Sequence, residues 1–149
     1  MDLVIYRGFP SAHAFTAFTI ELSRFHLPGG SYLELTISMQ DTDDIWALAM
    51  ATVANRIKDQ CSFHCGDTID FGCHISSGSS MSAFVVSHPA HVSEEQRTIA
   101  IGDRSVELME LVPIYQEERA WLRGDGTLQG FLGKSPRESL MNPRRSPLL

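Results

Sequence analysis

The clearest regular pattern in this chain is a helical stripe in DIWALAMATVANRIKDQ, residues 44–60, where Trp46, Met50, Val53 and Ile57 recur at spacings of four, three and four. That spacing lines them up on one face of an α-helix. Asp41, Thr42 or Asp43 can cap its start, and Arg56 and Lys58 lie in its last turns, where positive charge complements the helix dipole. Such a stripe must be covered, and the flanking sequence supplies strands to cover it.

Leu3 to Tyr6 is a short β-rich run closed by Gly8 and Pro10. In AFTAFTIELSRF, Phe18, Ile20 and Leu22 alternate with Thr19 and Glu21, the pattern of a half-buried strand. Pro28-Gly29-Gly30 turns the chain, and YLELTISM alternates again through Leu33, Leu35 and Ile37, so the two runs read as an antiparallel hairpin. After the flexible stretch SSGSS, MSAFVVSH is almost continuously apolar, as a central strand is. TIAIGDRSVELMELVPI reads as a second hairpin turning at Gly102-Asp103, with Val106, Leu108 and either Met109 or Leu111 on its buried face. YQEERAWLR is a short helix, and GDGTLQGFLGK adds a last turn or two. Hairpins without regular βαβ alternation predict an α+β fold, a mixed and largely antiparallel sheet with flanking helices in a single-domain sandwich.

At 149 residues the chain is the size of one domain and needs no metal or disulfide to hold a core. Its net charge of −6 is unlike the footprint of a nucleic-acid or anionic-lipid binder. The charge is uneven. Residues 134–149 carry Lys134, Arg137, Arg144 and Arg145 against Glu138 alone, which leaves −9 on the rest. With three prolines and little to bury, this segment reads as a basic tail or strap beyond a domain of residues 1–133, able to dock back onto it. MDLVIYRGFP lacks the basic start and apolar core of a secretory signal, and no run is long enough to span a membrane, which places the protein in the cytoplasm. There Cys61, Cys65 and Cys73 are expected as thiols.

The cluster Cys61, His64, Cys65, Cys73 and His74 offers zinc's preferred ligands, but C-x3-C followed by adjacent Cys73 and His74 lacks a paired C-x2-C knuckle. Thiols lining a loop are the simpler reading. A Cys65 nucleophile paired with His64 or His88 needs a spatial contact that sequence does not reveal. Glu117 and Glu118 open a helix, where negative charge is favourable against the dipole without any catalytic role. Together with Asp41, Asp43, Asp44, Glu94 and Glu95 they are candidates for a solvated acidic face. The glycines of GDGTLQG lack the Lys and Ser/Thr of a phosphate loop. No catalytic residues, metal site or cofactor are expected, and the low-ranking metal candidates are Cys61, His64, Cys65 and Cys73.

Read in order, TAFTIELS, YLELTIS, the Trp46 helix, HCGDTI, FVVSHP and ELVPIYQEERAWLRGDGTLQGFLGK resemble the suppressor-of-fused-like (SUFU) family. The strongest piece is LVPIYQEE, residues 111–118, which is similar to the family's strand running into an acidic helix, and MNPRRS resembles the ending of bacterial members. Three features depart from the family. The chain starts almost at its first strand, where members begin with a further helix. Glu21 stands where the family has a small residue in T-x-G-L-S, and the cysteines of CSFHC have no family counterpart. The resemblance implies one α+β domain without enzymatic activity that binds another protein. For stand-alone bacterial members, it implies an immunity protein that neutralises a cognate toxin. Two modes of binding suit the sequence: an acidic surface facing a basic partner, and a sheet edge accepting a partner strand. The competing class is a small zinc or thiol protein built on the Cys61/His64/Cys65/Cys73 cluster.

Overall fold

A computed structural model of the chain describes residues 1–25, 27, 32–58 and 63–149. Among these residues seven strands form one sheet: β1 Asp2–Arg7, β2 Phe15–Ile20, β3 Tyr32–Met39, β4 Thr68–Asp70, β5 Ala83–Ser87, β6 Thr98–Ile101 and β7 Arg104–Ile114. Their order is β1-β2-β3-β7-β5-β4, with β6 paired to β7. All neighbours are antiparallel except β3 and β7, which run parallel with Leu35 beside Met109. Four helices complete the α+β architecture: α1 Ile45–Ile57, α2 Gln116–Arg123, α3 Leu128–Leu132 and α4 Arg137–Leu140.

The inner face of the sheet packs under α1. Trp46, Met50, Val53 and Ile57 are all buried, against Phe15 and Ala17 of β2, Leu35, Ile37 and Met39 of β3, and Phe84 and Val86 of β5. The Trp46 ring N–H donates to Asp41 at 2.9 Å, and Asp43 accepts the Ile45 N–H at 3.0 Å, so the acids before α1 anchor its first turn. Its end falls at Ile57; Asp59, Gln60 and Cys61 lie outside the described residues, as do His26 and the Pro28–Gly30 turn.

Both hairpins form as the sequence predicts. Thr16 pairs with Ser38 in the first, and Ile99 with Val106 in the second. Gly102 takes a φ of +61° at the first central turn position, where a two-residue type II′ turn requires glycine. The face of β2 is corrected. Phe15 and Ala17 point to the core, Phe18 is half-buried on the outer face, and Ile20 is exposed. Apolar residues of FTAFTI occupy both parities, and the small Ala17 lies on the core side, under the α1 layer. Leu22 is buried, but in a 3₁₀ turn rather than in the strand. That return to the core is made by Glu21, which adopts a left-handed φ of +86° and ends the strand.

The outer face is covered over only part of its width. Val85, Val112 and Ile114 lie beneath Phe131 of α3 and Leu140 of α4, with Trp121 and Leu122 of α2 alongside. The C-terminal segment has more to bury than its composition suggests, since Leu140, Met141 and Arg145 are all enclosed. Two buried ion pairs hold it. Arg145 forms a two-pronged bond to Glu118, at 2.6 and 2.8 Å, and donates to the Pro113 carbonyl at 3.2 Å. Glu118 also accepts the Tyr115 and Leu148 backbone N–H groups, each at 2.9 Å, and is fully buried rather than part of a solvated face. The Tyr115 hydroxyl donates to the Arg145 carbonyl, and burial pushes its pKa above the ordinary phenol value. Arg137 similarly bonds buried Glu110 and donates to the His88 carbonyl at 3.0 Å.

Removing one partner of a buried pair strands the other charge. Glu118→Gln and Arg145→Ala are therefore each expected to cost about 3–5 kcal/mol in urea unfolding. Arg145→Lys should rescue little, because an ammonium does not reproduce the two-pronged geometry. Conversely, Glu21→Gly should raise stability by about 0.5–1 kcal/mol by relieving the left-handed backbone, read as a shifted urea midpoint with unchanged slope.

Candidate functional site

The remainder of the outer face carries no helix among the described residues. Val4 and Tyr6 of β1 and Phe18 and Ile20 of β2, with Phe9 from the following turn, line an open apolar groove of about 630 Å³. A second hollow of about 420 Å³ adjoins it through Ile20 and runs to Ile99 and Ile101 of β6 and Val106 and Leu108 of β7. Tyr6 is 57% exposed, Ile101 53%, Phe9 46%, and Ile20 and Ile99 44% each. Single exposed apolar residues are ordinary, but a contiguous set on one sheet face marks an interaction surface.

A belt of mostly satisfied polar groups separates this open region from the helix-covered part; within it the buried Thr36 hydroxyl, beside Glu110 in the ladder, has no partner among the described residues. The Thr16 hydroxyl donates to the Phe9 carbonyl at 3.1 Å and shares a 2.8 Å bond with Ser38, while Glu110 accepts from Ala90 N–H and Arg137. On the flanks of the open region, Arg104 lies over the Tyr32 ring at 4.8 Å, Arg24 pairs with Glu21 at 3.0 Å, and Arg7 pairs with Asp44. Charge at the margin and apolar side chains at the centre is the arrangement of a protein-binding surface.

The cysteine and histidine candidates are not gathered into such a site. Cys65 precedes β4 and Cys73 follows it, both exposed. Among the described residues no group of three His, Cys, Asp or Glu side chains could hold a metal, and Cys61 lies outside them. His64 meets Asp67 at 3.7 Å on the surface. Partial desolvation and the Glu107 carboxylate push the Cys65 thiol above its ordinary pKa, the opposite of what an activated nucleophile needs. Of the acids proposed for a solvated face, Glu118 and the Trp46-bound Asp41 serve the fold.

Sequence reasoning missed the open groove because it turned Phe18 and Ile20 inward. It also missed the partners of Glu110 and Glu118. One signal was present: Glu110 and Glu118 are eight residues apart, and so are Arg137 and Arg145.

A sheet packed under α1 on one face and only partly covered by α2–α4 on the other leaves an apolar surface open among the described residues. The sequence profile described as Suppressor of fused protein (SUFU) matches residues 1–144, so the chain belongs to the SUFU family. Its fold is shared with a SUFU homolog from Neisseria gonorrhoeae FA 1090, at a TM-score of 0.71 and 17% identity over 99% of this chain and 88% of that one. It is shared too with a chain of the Sufu-Fu complex, at a TM-score of 0.72 and 16% identity over 98% and 76%. Drosophila Suppressor of Fused gives a TM-score of 0.71 at 16% identity, with this chain spanning 42% of its length. The sequence matches no curated protein. No helix among the described residues is long and apolar enough to cross a membrane.

If the groove serves a partner and not the fold, its substitutions should be nearly silent for stability. Ile20→Glu and Ile101→Glu are expected to change the unfolding free energy by less than about 0.5–1 kcal/mol, against about 2–5 kcal/mol for Ile37→Ala in the core. Paired urea melts check the contrast.

Proposed function

We propose that this chain is a non-enzymatic, cytoplasmic protein-binding module that captures a partner protein and holds it inactive, as an immunity or antitoxin-like protein does. The observation that carries the reading is the uncovered apolar groove around Tyr6, Phe18, Ile20 and Ile101, for which the fold has no internal use. Family membership supports the binding role, and a related fold occurs in a complex, that of Sufu with Fu. The partner class follows from charge: a net charge of −6 favours encounter with a basic protein, such as a toxin domain acting on nucleic acid. In this arrangement the acids govern the rate of association and the groove governs residence time.

The test takes as partner the purified product of a toxin gene found beside the gene of this chain. Ile20→Glu and Ile101→Glu should each weaken binding by about 30-fold or more, mainly through faster dissociation, and abolish protection of cells expressing the toxin. Added salt should slow association of the wild-type pair. Binding unaltered by both substitutions would remove the groove from the reading. Tight binding without protection would remove the immunity role and leave the binding module.

A further inference from the structure

Among the described residues strand β1 is an edge, and unlike the other edges of this sheet it is neither short nor charged along its middle. Natural sheets blunt their edges with short strands, prolines, bulges or charges. Strand β4 spans only three residues, and Asp70 is tied down there by Gly72, Gln116 and Arg119. Strand β6 spans four. Strand β1 runs for six residues with charge only at its ends, Asp2 and Arg7, and with Leu3, Val4, Ile5 and Tyr6 between them. Among the described residues its ladder is filled on the β2 side alone.

We infer that β1 pairs with β1 of a second copy of this chain, antiparallel about a two-fold axis at Val4, joining two seven-stranded sheets into one. The register follows from the faces. Leu3 and Ile5 point to the core side of the sheet, and Val4 and Tyr6 to the groove side. Residues opposite one another in a continuous sheet share a face. The two-fold therefore passes through a residue, never between two. Centred on Val4, it sets Val4 against Val4, Leu3 against Ile5 on the core side, and the Asp2 carboxylate against the Tyr6 hydroxyl on the groove side. Centred on Ile5, it would set Leu3 against Arg7, whose guanidinium is already paired with Asp44. The Val4 register is thus apolar against apolar at its centre and polar against polar at its margins, and it closes as a symmetric dimer. It also brings the two Val4–Tyr6–Phe18 grooves together on one side of the joined sheet, doubling the surface offered to a partner.

The experiment is sedimentation of the purified full chain, without any partner, over a wide concentration range. The expected result is a species of twice the 16.6 kDa chain mass at high concentration. Val4→Lys and Val4→Glu place like charges opposite each other across the axis. Each should raise the dissociation constant about tenfold or more, and their equimolar mixture should restore the dimer as a heterodimer. At exposed Tyr6, where folding is not at stake, Tyr6→Lys should strengthen the dimer against Asp2 and Tyr6→Glu should weaken it. A wild-type chain that stays monomeric overturns the inference, including the case in which β1 substitutions abolish capture of another protein instead. A dimer indifferent to Val4 and Tyr6 substitutions overturns it as well. Because no partner is present, either failure leaves the partner-binding role untouched.

Discussion

The two-pronged contact between Arg145 and Glu118 is the interaction on which the shape of the outer face depends. Burying both charges is costly, and the cost is offset only where the remaining donors and acceptors are satisfied. Here Glu118 takes Arg145 and the Tyr115 and Leu148 N–H groups, and the two terminal nitrogens of Arg145 reach Glu118 and the Pro113 and Ser146 carbonyls, so that among the described residues only the Arg145 Nε is left without a partner in the pair. Strand β7, the start of α2 and the C-terminal segment are thereby joined at one point. The Arg137–Glu110 pair repeats the device eight residues earlier in each segment, beside the polar belt. Between them these pairs hold α4 over Val112 and Ile114 and set where the helical cover stops.

What lies beyond that limit is the open apolar surface. The inner face of the sheet is filled by α1 and the helices α2–α4 cover the outer face over β5 and the adjoining end of β7, while Tyr6, Ile20, Ile99 and Ile101 on the outer face of β1, β2 and β6 meet solvent. A chain with a comfortable core has no need of Tyr6, Ile20 and Ile101 for stability. The polar belt of Thr16, Ser38 and Glu110 fixes the boundary, because hydroxyls and a carboxylate already satisfied by local partners resist further apolar burial.

Much of the architecture was legible in the residues. Period-two runs, the Trp46 stripe and the Gly102 turn rest on local sterics and on the geometry of one face, which neighbouring residues settle among themselves. The SUFU resemblance was legible through LVPIYQEE and MNPRRS, and the structure gives those two motifs a shared physical reason: they hold Glu118 and Arg145, which meet across twenty-seven residues of chain. Even the departure at Glu21 reads clearly afterwards, since a small residue suits the left-handed backbone found there.

The sequence by itself therefore determined α1, the two hairpins, the central β5 run, the α+β class and the lack of a paired C-x2-C spacing, because each depends on contacts or spacings close along the chain; the short β4 and α4 were not legible in it. Only the tertiary structure decided which face of FTAFTI is buried, that β3 and β7 run side by side in parallel, and that an apparently solvated Glu118 is fully buried and paired with Arg145. Those outcomes depend on which distant surface arrives to cover a given side chain. In β2, where both faces are apolar enough to be buried, the periodicity of the strand carries no information about which one α1 will choose.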